Sequence, residues 1–175
     1  MDAERKLLRH FLAALAYRTQ KALRDAPTDF GSFRAAEDVR TPSQILRHMT
    51  RVLGYARTLY IGGSYQPNDL PSLQEEVLQF HEILQDLARH IDSAAEPREG
   101  MTAARLLQGP FADAMTHVGQ LALLRRLAGL PVPPESFIDA DIDATRLGPE
   151  QADPVSPGMD WPEAPPTWVP PGPKL

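Results

Sequence analysis

An all-α fold, a four-helix bundle followed by a proline-rich and mostly irregular extension, is predicted by three observations. Apolar residues recur at helical spacing in four long stretches. Each stretch is bounded by residues that start or stop helices. Twelve of the 18 prolines lie at or beyond Pro131, so helix-compatible sequence ends there. The predicted division is a bundle over residues 1–130 and an extension over 131–175 that packs on the bundle or on a partner subunit.

The first helix is predicted over residues 3–25, with Leu7, Leu8, Phe11, Leu15, Arg18 and Ala22 approximating one face and Pro27 ending it. A loop follows, in which Phe30 and Phe33 can pin the chain to the body. The second helix has the strongest start signal: Thr41 as cap, Pro42 at the first helical position and Gln44 completing a capping box. Ile45, Met49, Val52, Leu53 and Ala56 mark its buried side, and His48 falls on the edge of that side. Glycine and proline in IGGSYQPNDLP break it.

The third helix starts near Ser72, with Glu75 as a capping partner. Leu73, Val77, Phe80, Leu84, Leu87 and Ile91 step by four and three, the spacing of bundle packing. His81 sits at the edge of this stripe. A short helical turn, Thr102 to Gln108, leads into a last helix from Gly109 to Gly129. Gly109 suits the cap and Pro110 the first position; Gly129 is a left-handed stop, and Pro131 prevents resumption. Ala114, His117, Val118, Leu121, Leu124 and Ala128 share one face, with Asp113 one turn before His117. No strand is predicted. The first two loops are long enough for a crossover. In the extension, Phe137, Ile138, Ile142, Leu147, Trp161 and Trp168 are too many apolar anchors for a disordered tail, so it is read as wrapping in extended form.

Composition narrows the function classes. A formal charge of -5 argues against a nucleic-acid partner. The chain has no cysteine, which removes disulfides, thiolate nucleophiles and sulfur metal ligands together. No apolar run approaches about 20 residues, so no membrane span is expected. The apolar stretch at the N-terminus is too short and too broken by charge for a signal peptide, and a soluble cytoplasmic protein is the expectation. No nucleophilic serine motif or glycine-rich phosphate loop is present, so no organic cofactor is expected and no catalytic residue is assigned. A carboxylate and an imidazole one turn apart on an inward face, Asp113 and His117, need a partner.

The run Thr116-His117-Val118-Gly119-Gln120-Leu121, followed by Leu124-Arg125-Arg126-Leu127-Ala128-Gly129, resembles the last helix of the DinB-like family. That helix commonly carries His-x-x-x-His-x-Gly-Gln-Leu. Gln44-Ile45-Leu46-Arg47-His48-Met49 resembles the family's other motif helix, which carries a single histidine. The resemblance covers roughly residues 1–130 and implies an up-and-down-like bundle with a crossover, frequent homodimers, and a divalent metal held by three histidines. On this chain those positions are His48, His117 and, in place of the third histidine, Asp113.

A carboxylate can ligate zinc, nickel, iron or manganese, or it can accept a hydrogen bond from His117 or His48 with no metal present. Three protein ligands leave a position for water or substrate. His81 is a fallback ligand; His10 and His90 read as surface residues. The resemblance further implies a metal-dependent thiol transferase or isomerase that uses a low-molecular-weight thiol, while hydrolysis suits the same ligand set. The alternative is a non-catalytic helical dimerisation module with a degenerate metal site, its proline-rich run Pro165–Pro171 serving as an extended ligand for another domain. Gly119 inside a helix costs about 1 kcal/mol against alanine, which close packing of another segment there would justify. Gln120 lies near the Asp113 side and can donate to a carboxylate or a substrate.

Overall fold

Four long helices carry the chain, α1 (Ala3–Leu23), α2 (Pro42–Ile61), α3 (Leu73–Asp92) and α5 (Ala112–Leu127), with a single turn, α4 (Ala103–Leu106), ahead of the last. The computed structural model describes residues 2–93, 96–158, 161, 162, 164–166 and 168. Among these there is no strand, only an isolated antiparallel bridge between Glu135 and Pro157. None of the described helices is long and apolar enough to cross a membrane.

The helices begin where side chains satisfy their first N–H groups. Thr41 Oγ1 accepts from Gln44 N at 3.3 Å and Gln44 Oε1 accepts from Thr41 N at 2.9 Å, both halves of a capping box. Ser72 Oγ accepts from Glu75 N and donates to Glu75 Oε2. α2 stops at Gly62 (φ 76°), and Gly129 (φ 73°) follows the end of α5, left-handed conformations that glycine adopts without strain.

Ion pairs fix the helix directions. Arg47 pairs with Glu76 and Arg57 with Asp86, so positions advance together and α2 runs parallel to α3. Arg5 pairs with Glu96, Arg9 with Asp92, and Gln20 meets His81, so α1 runs antiparallel to α3. Phe11 stacks on Phe111 at one end of the bundle, and Arg125 lies over Phe30 just past α1 at the other, so α1 and α5 are parallel. The order is up-down-down-up. α3 and α5 flank both α1 and α2, which lie diagonally. The segment 62–72 is the crossover that returns the chain to the starting end of α2.

The stripe of α3 is buried along its whole length, as are Leu46, Met49 and Leu53 of α2 and Leu121 and Leu124 of α5. Three expectations are corrected, the first in part. The predicted face of α1 is inward only in part: Leu8, Leu15 and Ala22 are buried and Phe11 and Arg18 partly so, but Leu7 is 53% exposed, and Leu12, Ala16, Tyr17 and Lys21 are buried outside that face. The cause is the extension, which covers a second side of α1 and makes its pattern broad. The last helix does not start afresh at Gly109. α4 continues through a wide turn, Leu107–Phe111, kinked at Gly109 (φ -95°, ψ -106°), into α5. Pro110 lacks an N–H and pushes the preceding residue out of helical conformation. A Cβ on Gly119 meets nothing within 4 Å, so no packing segment accounts for that glycine.

Residues 131–158 run beside α1 and α3. Lys21 Nζ donates to Pro133 O at 2.6 Å, Tyr17 Oη to Glu135 Oε1 at 2.5 Å, and Arg24 to Ala152 O and Asp153 Oδ1 at 2.8 Å each. The Arg18 guanidinium sits 3.9 Å over the Phe137 ring. Ser136 N to Ser156 O and Gly158 N to Pro134 O clasp the segment to itself. Leu147 and Trp161 are buried, but Ile138, expected as an anchor, is 94% exposed. Alternating exposure cannot be read from an irregular chain without a period. Within the run Pro165–Pro171, residues 167 and 169–171 lie outside the described residues.

Candidate metal centre

α2 and α5 bring the three predicted residues together. His48 lies on the edge of the buried side of α2; Asp113 and His117 sit one turn apart near the start of α5. One ligand-capable atom from each falls within 4.8 Å of the others. His48 Nε2 lies 3.6 Å from Asp113 Oδ2, and His117 Nε2 lies 3.4 Å from Asp113 Oδ1. The two imidazoles meet edge to face, with centroids 4.6 Å apart. Exposure is graded: the His117 side chain is 9% exposed and the Asp113 side chain 47%. The cluster is therefore anchored in the bundle and open on its carboxylate side.

Two features suit these atoms to a cation. The His117 Nδ1–H donates to Gln120 Oε1 at 2.8 Å, which leaves the Nε2 lone pair facing Asp113. Gln120 thus accepts from the histidine rather than donating to a carboxylate, the reverse of the role expected for it. Burial, together with the positive charge of Arg40, holds His48 below its ordinary pKa of 6.5, so it is the neutral, ligand-competent imidazole at neutral pH.

The separations discriminate further. Contacts of 3.4 and 3.6 Å exceed the usual 2.7–3.2 Å of a nitrogen–oxygen hydrogen bond. Two donors on one first-row ion, each about 2.1 Å from it, lie about 3–3.5 Å apart. The His117 separation falls in that range and the His48 separation just beyond it, so these three residues could hold a metal ion.

The other histidines lie elsewhere. His81, the fallback ligand, is buried against the extension, its Nδ1–H donating to Leu147 O at 2.8 Å and its Nε2 facing Gln20 Nε2 at 3.3 Å. Burial lowers its pKa to about 4. The stripe spacing placed it at an edge because nothing in α3 announces that the extension covers that edge. His10 is exposed; His90 is partly exposed, 3.8 Å from Asp86.

An open groove of about 1200 Å³ adjoins His48 and Asp113. One face of α2 forms its floor, the kink at Gly109 and Pro110 one wall, and Tyr65 another. Tyr65 closes on α2 because Gly54 has no side chain; a Cβ there would overlap the tyrosine ring. The sequence reading missed the groove. Its signal was available in Arg51, Tyr55 and Thr58, which follow His48 on one face of α2 at helical spacing.

No family model, no curated protein and no solved structure matches the chain.

Proposed function

We propose that the chain is a DinB-like metal-assisted enzyme, with His48, Asp113 and His117 as ligands to a divalent zinc, nickel, iron or manganese ion and the adjoining groove as the substrate site. The observation that carries this reading is the convergence of two imidazoles and a carboxylate, one ligand-capable atom from each within 4.8 Å of the others, beside an open groove. The up-down-down-up order with its crossover supports the same reading. When bound, the ion supplies Lewis acidity and lowers the pKa of a thiol or water. The chain's own residues do the rest. Gln120 fixes the tautomer and orientation of His117, the bundle keeps His117 dry, and the half-exposed Asp113 faces the groove. A low-molecular-weight thiol transfer or isomerisation, or a hydrolysis, is the reaction class.

The decisive measurement is metal content of tag-free protein by mass spectrometry. Stoichiometric metal is expected in the natural chain and its loss in His117→Ala. Gln120→Leu, at an exposed position, is expected to weaken metal affinity about tenfold without unfolding the protein. Absence of metal after incubation with all four ions would overturn the reading.

A second reading, a helical dimerisation module, draws on Leu123 and Leu127. They are 51% and 57% exposed one turn apart on α5. It expects a dimer in sedimentation that Leu123→Glu converts to monomer; a monomeric natural chain sinks it.

A further inference from the structure

The groove has a charge and length pattern of its own. On its floor His48, Arg51, Tyr55, Thr58 and Leu59 follow one face of α2. At 1.5 Å per residue that face spans about 16 Å. Arg51 stands one turn from His48. Arg98 stands at the far end, where its backbone N–H donates to Leu59 O at 2.7 Å. Both arginines are exposed and line the groove. Of its two acidic side chains, Glu96 takes the Arg5 guanidinium at 2.7 Å, and Asp113 lies at the histidine end, beside His48 and His117. Among the described residues no carboxylate forms an ion pair with Arg51 or Arg98. Between them the walls are Val52, Tyr55 and Tyr65. The chain carries a net charge of -5, so two arginines without a carboxylate ion pair in one groove are a local feature.

We infer that the groove binds an extended organic dianion: two oxyanion ends on the Arg51 and Arg98 guanidiniums and an apolar middle on the tyrosines. The arginines' anchor points on α2, Arg51 and Leu59, are separated by about 12 Å, which favours an extended dianion over a compact one. Planar guanidinium forks match carboxylate or phosphate ends, and aromatic walls match an uncharged spacer. The inference names the substrate class of the site proposed above and rests on that reading for its catalytic meaning, but neither arginine is one of the proposed metal ligands.

Titration calorimetry on the full chain, with suberate, succinate and octanediol as probes, tests this. Suberate is expected to bind, succinate more weakly, and octanediol not at all. Arg51→Gln and Arg98→Gln are each expected to weaken suberate about fivefold while leaving metal content and helicity unchanged. No suberate binding, equal binding of octanediol, or affinity unaffected by both substitutions overturns the inference. The two readings fail separately. Arginine-dependent suberate binding by a chain that takes up no metal removes the metal reading alone; stoichiometric metal with arginine-independent binding removes this one alone.

Discussion

Glu135→Ala is expected to destabilise the fold by about 3 kcal/mol, because breaking a buried ion pair leaves its partner charge stranded. The Glu135 side chain is fully buried between α1 and the extension. Its Oε1 accepts from Tyr17 Oη at 2.5 Å, and its Oε2 lies 3.6 Å from Lys21 Nζ. Burial holds Lys21 below its ordinary pKa and Tyr17 above its own; the Glu135 carboxylate opposes the first shift and adds to the second. Without the carboxylate, Lys21 keeps only the Pro133 carbonyl, and Tyr17 loses its acceptor. Urea unfolding of Glu135→Ala and Glu135→Gln checks this. The glutamine is expected to recover part of the loss, since it still accepts from Tyr17. A cost below about 0.5 kcal/mol in the alanine variant, the scale of an ordinary surface change, would show that the extension is not held through this pair.

Acidification from pH 7 to pH 4 is expected to remove about 3 kcal/mol of stability through His81 alone. Its folded pKa, about 4, lies below the unfolded value of 6.5. As the pH falls below 6.5 the unfolded chain takes the proton first, so stability drops through the window from 6.5 to about 4. Above 6.5 both states are neutral, and below 4 both are charged, so the slope vanishes on either side. The structural cause is burial, which disfavours the charged ring; the hydrogen bond from Nδ1–H to Leu147 O opposes the shift without cancelling it. The comparison is between the natural chain and His81→Leu, unfolded in urea at pH 7 and pH 4. The variant is expected to lose about 3 kcal/mol less over that interval, whatever its stability at neutral pH. Equal losses in the two proteins would exclude His81 as the acid-sensitive group.

Local chemistry made much of this architecture legible. Thr41, Pro42 and Gln44 start α2 through bonds made within three residues, and the α3 stripe buries as its spacing requires. His48, Asp113 and His117 were locatable because a helix turn fixes which side chains neighbour each other. What escaped depends on contacts distant in sequence. The burial of Tyr17, Lys21 and His81 comes from residues more than 60 positions away in an extension without periodicity. The kink at Gly109 looked like a helix start because a glycine–proline pair serves either purpose. Gln120 could be placed beside His117, but whether it donates or accepts depended on which ring nitrogen faced it.

The order of the helices bears on how the chain reaches this state. α1 and α2 are diagonal, α2 and α3 are parallel, and α3 and α5 are diagonal, so no two consecutive long helices form an antiparallel hairpin. The antiparallel helix hairpin, the simplest autonomous unit of helical proteins, is therefore missing, and the one consecutive pair that packs together, α2 with α3, does so in parallel. Loop closure must precede most of the stabilising contacts, which slows folding relative to hairpin-built bundles and makes assembly nearly all-or-none. The two histidines lie 69 positions apart and meet only when α5 packs on α2, so the chemistry proposed for them depends on a contact between helices far apart in the chain.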